Sequence, residues 1–146
     1  MSDTDLIALP PPQPDPDVDT APFWQATADG RLMMCRCTSC GLWQQPPLER
    51  CRACAALNGF EPIDGTGTIS TFIVQRQGAV VGYFDQVPYA VALVDLDEQP
   101  GLRLPGRMVD IDPDDVQIGM RVQARIEDLR GGDFRVVVFA PALSTT

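Results

Sequence analysis

No histidine and no lysine occur among the 146 residues, and all eleven basic side chains are arginine. Without lysine the chain cannot form a Schiff base. Without histidine it lacks the commonest general base and any Ser/His/Asp triad. A metal site must therefore be built from cysteine or carboxylate. No apolar run approaches the roughly 18 residues that a membrane span requires. The N-terminus has no charged start followed by an apolar stretch, so no export signal is read there. A soluble cytoplasmic protein without membrane contact is expected. Positive charge is scarce: twenty acidic residues against eleven basic leave a formal charge of −9. Such a chain repels phosphate backbones. Its two Trp, two Tyr and six Phe offer few stacking platforms, so nucleic acid is not expected as a partner.

Hydrophobic residues make up 45% of the chain, enough for a folded core. Residues 1–19 contain five prolines and five aspartates and show no hydrophobic periodicity, which predicts an irregular arm. A short helix is predicted over about residues 21–29. Thr20 stands at its cap, Pro22 in its first turn and Gly30 at its end, while Phe23/Ala26 and Trp24/Ala28 share a weakly apolar face. From Gly65 onward, short β-rich runs are broken by Gly, Pro and Asp. They are Thr68–Val74, Tyr89–Leu96, Gly101–Ile111, Met120–Glu127 and Phe134–Phe139. In the fourth, Met120, Val122, Ala124 and Ile126 alternate with Arg121, Gln123, Arg125 and Glu127, the period of a half-buried strand. Asp112-Pro113-Asp114-Asp115 can start one helical turn between the third and fourth runs. Five strands with a helical turn at that point fit a small closed barrel of the oligonucleotide/oligosaccharide-binding (OB) type. Another five-stranded topology is the alternative. The expected organisation is an arm over 1–19, a helix and cysteine-rich ribbon over 20–60, and a barrel over 61–146.

All five cysteines lie between residues 31 and 54. Cys37-x2-Cys40 and Cys51-x2-Cys54 are two pairs of the spacing that lets both thiolates of a tight turn face one metal. Together they make a closed tetrahedral site of four sulfurs, expected to hold one structural zinc. Iron in a rubredoxin-type site uses the same four thiolates, and disulfides would need an oxidising compartment. Gly41 permits the positive φ such a turn needs. Ala55 occupies the equivalent place after the second pair, so that knuckle is expected to be less regular. Cys35 lies two residues before Cys37 and reads as a buried free thiol. Arg31, Arg36, Arg50 and Arg52 gather around the pairs, either to balance thiolate charge or to receive an acidic or phosphate-bearing partner.

The ordered string Phe23-Trp24, Gly30-Arg31-Leu32, Arg36-Cys37-x2-Cys40-Gly41, Pro46-Pro47 and Cys51-x2-Cys54 resembles a bacterial and archaeal group. So do Gly65-x-Gly67, Pro88-Tyr89-Ala90-Val91-Ala92, Leu96-Asp97-Glu98 and Ile118-Gly119. The group is the acyl-CoA-associated zinc-ribbon/OB-fold family, once classed as a domain of unknown function. The resemblance covers about residues 20–140. It implies a mainly β chain: a short N-terminal helix, a rubredoxin-like zinc ribbon, then a five-stranded OB barrel. It also implies an accessory role beside thiolase-superfamily enzymes, including a retro-aldolase of steroid side-chain degradation. Some members are fused to hot-dog dehydratase domains, which is not expected for a chain ending at Thr146.

The function expected is a non-catalytic accessory subunit of a thiolase-superfamily acyl-CoA enzyme, with a thiolase-like or lipid-transfer-type partner and two copies of each chain. Acyl-CoA would be met through the complex, and no catalytic residue is assigned. The alternative is a stand-alone acyl-CoA-binding module. Leu42, Trp43, Pro46 and Pro47 are more apolar surface than so short a ribbon can bury, which makes Trp43 and Arg50 candidate interface anchors unless Trp43 packs on the barrel.

Overall fold

In the computed structural model, which describes residues 2–143, the arm contains one helix, α1 (Asp3–Ala8). This departs from a wholly irregular arm and has a local cause. The Ser2 hydroxyl accepts from the Asp5 amide, and the Asp5 carboxylate accepts from the Ser2 backbone N–H, a reciprocal cap. Helix α2 (Ala21–Ala28) lies where the sequence places it. Its start differs in detail. Thr20 does not cap with its side chain; instead Asp17 Oδ1 accepts from the amides of Asp19 and Thr20. The end is as expected. Gly30, at φ 77°, donates to Thr27 O while the Arg31 amide reaches back to Ala26 O.

Next comes a three-stranded antiparallel ribbon: β1 (Met33–Cys37), β2 (Trp43–Gln44) and β3 (Asn58–Pro62), in the order β2-β1-β3. Five further strands form a closed barrel: β4 (Thr66–Gln75), β5 (Tyr89–Leu96), β6 (Arg103–Met108), β7 (Arg121–Asp128) and β8 (Arg135–Pro141). Their order is β4-β5-β6-β8-β7, with β6–β8 the parallel pair and a 3₁₀ turn at Pro113–Asp115 between β6 and β7. That is the expected OB topology, helical turn included.

Alternation writes the barrel core. Along β5, Ala90, Ala92, Val94 and Leu96 are buried while the residues between them are half-buried. Gly106 has no side chain because the Phe139 ring, fully buried, fills that space; a Cβ there would sit 2.6 Å from the ring. Pro105 is tolerated inside β6 for a reason of register. Leu96 N–H donates to Leu102 O, and the pairing steps on to Val94/Leu104, Leu93/Pro105 and Ala92/Gly106. Hydrogen-bonded pairs alternate, so Pro105 falls in a non-bonded pair and its missing N–H costs no ladder bond to β5.

Ribbon and barrel share one core. Leu32, Met34 and Trp43 pack in the same buried cluster as Ile69, Val94 and Phe139. The Gln99 side chain ties them further. It accepts from Trp43 N–H and donates to Trp43 O, both at 3.0 Å, pairing with β2 as a neighbouring strand would. Trp43 is consequently 7% exposed, and the expectation of an exposed anchor at that position is corrected: the ring belongs to the junction.

Candidate metal centre

Two turns of the ribbon bring four cysteines together. Cys37 ends β1, and residues 38–41 turn the chain into β2. Cys51 to Ala55 form a second turn in the connection from β2 to β3. The Sγ atoms of Cys37, Cys40, Cys51 and Cys54 lie within 4.8 Å of one another. Cys37 and Cys54 sulfurs are 3.5 Å apart, Cys40 and Cys51 sulfurs 3.6 Å. A tetrahedron of sulfurs at ~2.3 Å from zinc has edges of about 3.8 Å, so the cluster fits such an ion with small adjustment. Cys35, buried and a free thiol, stays outside the cluster. Its Sγ lies 3.8 Å from Leu48 O, and burial pushes its pKa up.

The two turns are copies of one device. Gly41 N–H donates to Cys37 O, and Ala55 N–H to Cys51 O. Cys37 N–H donates to Leu42 O at 2.9 Å, and Cys51 N–H to Ala56 O at 2.8 Å. Amides aim at sulfur in both: Ser39 and Cys40 at Cys37 Sγ, Ala53 at Cys51 Sγ, each at 3.3 Å. Gly41 has φ 78° and Ala55 φ 63°. The second knuckle is therefore as regular as the first, against expectation; the turn imposes a left-handed conformation on a residue that disfavours it.

Arginine completes the repeat. Arg36 Nε donates to Gly41 O at 2.8 Å, and Arg50 Nη1 to Ala55 O at 3.0 Å. In each turn the residue preceding the first cysteine clamps the carbonyl of the residue following the second. Arg36 also pairs with Glu61 at 2.8 Å and lies 4.7 Å above the Trp43 ring. Arg31 reaches Asp29 at 3.6 Å. A purely compositional reading sees only a basic cluster here. The available signal was the fourteen-residue repeat Arg-Cys-x2-Cys-Gly/Ala at 36–41 and 50–55.

The electrostatics call for a cation. The Cys40 amide foremost, with that of Ser39, lowers the Cys37 thiol to about 6. The Cys54 and Ala53 amides lower Cys51. Cys40 has the Leu42 amide in its favour, yet contact with Cys51, burial, and contact with Cys37 and Cys54 push it up to about 11. The backbone favours the anion at Cys37 and Cys51, while the crowded neighbouring sulfurs disfavour it at Cys40. A divalent ion removes that conflict.

An apolar hollow of about 330 Å³ lies where α2, the ribbon and the barrel meet, with Phe23, Trp24, Met33, Phe60, Pro105 and Val137 in its lining. No described helix is long and apolar enough to cross a membrane.

Two family models match the chain. The rubredoxin-like zinc ribbon domain of ChsH2 matches residues 24–58, and the C-terminal OB-fold domain of ChsH2 matches residues 60–127. A DUF35 domain-containing scaffold protein of Methanocaldococcus jannaschii is 35% identical over 111 residues, 74% of this chain and 77% of that protein. A probable enoyl-CoA hydratase alpha subunit of Thermomonospora curvata is 34% identical, covering 76% of this chain and 34% of that protein. The 3-oxo-4,17-pregnadiene-20-carboxyl-CoA hydratase alpha subunit of Mycobacterium tuberculosis is 32% identical, covering 80% of this chain and 36% of that protein. The chain thus spans about a third of each hydratase subunit's length. Among solved structures, a chain of the Ltp2–ChsH2(DUF35) aldolase superposes with a TM-score of 0.81 at 31% identity, over 90% of this chain and 100% of that one. A DUF35 protein of unknown function from Sulfolobus solfataricus, at TM-score 0.55 and 14% identity over 83% of each chain, shares the fold.

Proposed function

Because this chain belongs to the DUF35 family, in its ChsH2-type zinc-ribbon and OB-fold form, we propose that it is a non-catalytic accessory subunit of an acyl-CoA enzyme complex. The observation that carries this reading is the superposition along the whole DUF35 chain of an aldolase. The partner proposed is a thiolase-like or lipid-transfer-type protein, with two copies of each chain, in the cytoplasm. The complex would act on an acyl-CoA, a steroid side chain being one candidate class.

One structural Zn²⁺ per chain is assigned to Cys37, Cys40, Cys51 and Cys54. When bound, it supplies a cross-link between the two knuckles. Four sulfur ligands leave no open position for an activated water, so the centre holds shape and performs no hydrolysis. This chain's own part is to hold the ribbon against the barrel, through Gln99 and the Trp43 backbone, and so to present one rigid surface to the partner. With Trp43 buried, the apolar surface left on the ribbon side is Val18, Leu48 and Leu57, at 89%, 52% and 52% exposure.

Co-expression with a thiolase-like protein encoded beside it, followed by size exclusion, tests the reading. Co-elution is expected, with loss of the complex on combined Leu48→Asp and Leu57→Asp substitution. Separate elution at micromolar concentration, with the partner fully active alone, refutes it. Binding of CoA or an acyl-CoA by the isolated chain would favour the stand-alone module, to which the apolar hollow could offer an acyl site.

A further inference from the structure

One end of the barrel is bounded by the β4–β5 connection (residues 76–88) and the β7–β8 turn (residues 129–134). Part of the arm lies across it. The floor beneath the arm is bare backbone. A Cβ on Gly82 would lie 2.3 Å from Pro11 Cα, one on Gly131 2.3 Å from Pro10 Cβ, and one on Gly132 2.5 Å from Gln13 Oε1. Three glycines from two separate loops thus leave room for one short segment. Arg130 supplies the polar contacts. Its guanidinium donates to Ala8 O at 3.2 Å and Leu9 O at 2.9 Å, and it reaches Gly82 O at 3.5 Å. Gln13 Nε2 donates back to Arg130 O at 3.0 Å. Pro11 is buried, whereas α1 buries no residue. Apart from the carbonyl of Ala8, the last residue of the helix, the contact is therefore made by the residues after the helix, the proline run foremost.

The chemistry suits a proline-rich extended segment. Prolines hold φ near −65° and lose little entropy on docking. The Arg130 guanidinium takes the carbonyls of Ala8 and Leu9, just before the proline run, and Pro11 O accepts from Gln13 Nε2. Flat glycine backbone lets pyrrolidine rings approach closely. The two loops join the first to the second and the fourth to the fifth strands of the barrel, and these are the loops with which OB barrels take ligands. Below the arm lies a cavity of about 260 Å³ walled by Pro11, Gly82, Tyr83, Arg107, Glu127 and Arg130 among others.

We infer that this barrel end is a binding groove for an extended proline-rich segment, that residues 8–13 fill it as an intramolecular ligand, and that the arm thereby keeps the barrel's ligand end covered until a competing segment displaces it. The inference does not depend on the accessory role. A tethered segment competes at an effective concentration of the order of millimolar. A free peptide must therefore bind the intact chain far more weakly than a chain whose arm has been disabled.

The test uses the full zinc-loaded chain and a synthetic peptide spanning residues 6–16, with the amide resonances of Gly82, Gly131 and Gly132 as readout. A full-length variant carrying Pro10→Ala, Pro11→Ala and Gln13→Ala, all outside the core, should show shifted glycine amides before any peptide is added. It should then bind the peptide about tenfold or more tightly than the wild-type chain does. Adding Arg130→Ala should abolish that binding. The inference is overturned if the glycine amides do not respond to the arm substitutions. Equal or absent peptide binding in the two chains, or binding indifferent to Arg130, overturns it as well.

Discussion

Ala55 offers a test of the paired-knuckle geometry that needs no partner. It adopts φ 63° in the place where the first knuckle has Gly41 at φ 78°. A left-handed conformation costs an L-residue roughly 1–2 kcal/mol. Replacing it by glycine removes that cost but gives the unfolded chain about 0.4–1 kcal/mol of extra freedom. Ala55→Gly should therefore stabilise the chain by about 0.5–1 kcal/mol. The Arg50 clamp survives, since it uses the Ala55 carbonyl and not the methyl. Gly41→Ala is the mirror experiment. A Cβ at Gly41 would meet Arg36 Nη2 at 3.4 Å, an ordinary contact, so the cost is that of the backbone alone, about 0.5–1 kcal/mol. The double exchange should be close to neutral. For a chain of this length 1 kcal/mol corresponds to about 3 °C in Tm. Calorimetry at fixed zinc concentration should therefore resolve a rise, a fall and a near-cancellation. A fall in Tm for Ala55→Gly would refute the argument, because it would mean that Ala55 is not held left-handed.

Replacing any one of Cys37, Cys40, Cys51 or Cys54 by Ser should abolish stoichiometric zinc by elemental analysis and unfold the ribbon, since structural zinc contributes of the order of 10 kcal/mol to small zinc domains; Cys35→Ser should leave metal content unchanged. Arg50→Ala should cost about 1 kcal/mol, and Arg36→Ala about 2 because it also loses the contact with the Trp43 ring; both should speed zinc transfer to a chromogenic chelator. The Asp97 carboxyl is held below the usual carboxylate range by its hydrogen bonds from Arg121, at 2.6 and 2.7 Å. Its contribution is therefore present above that range, roughly pH 4 and up, and is lost as pH falls towards the lower folded value. Both side chains are about half exposed, so Asp97→Asn should lower Tm slightly at pH 7, with the gap closing on acidification.

What could be read from the chain alone was what depends on neighbours in sequence. Two C-x2-C pairs ten residues apart predict a shared site, because a knuckle turn is closed by its own four or five residues. Alternation in the Met120–Glu127 and Tyr89–Leu96 runs predicts half-buried strands, because pleating is local. Gly30 ends α2 for the same kind of reason. The helix cap failed as a prediction because the Thr20 hydroxyl turns back to Asp17, accepting from its amide and donating to its Oδ1, and so is not free to accept from the helix.

Other features were decided only when distant segments met. Trp43 is buried because Gln99, 56 positions away, pairs with its backbone and Arg36 covers its ring. No local pattern distinguishes that ring from an exposed anchor. Ala55 is left-handed because the second turn aims its amides at Cys51 Sγ in the way the first aims its own at Cys37 Sγ, and both must bring their sulfurs to one centre. The docking of Pro10 and Pro11 against Gly131 and Gly82 joins segments about 120 and 70 residues apart, where composition predicted only an irregular arm. Spacing and periodicity encode the turn and the strand because their hydrogen bonds close within a few residues. Which surface each element then covers is a matter of tertiary packing, and it emerged only once the barrel had closed.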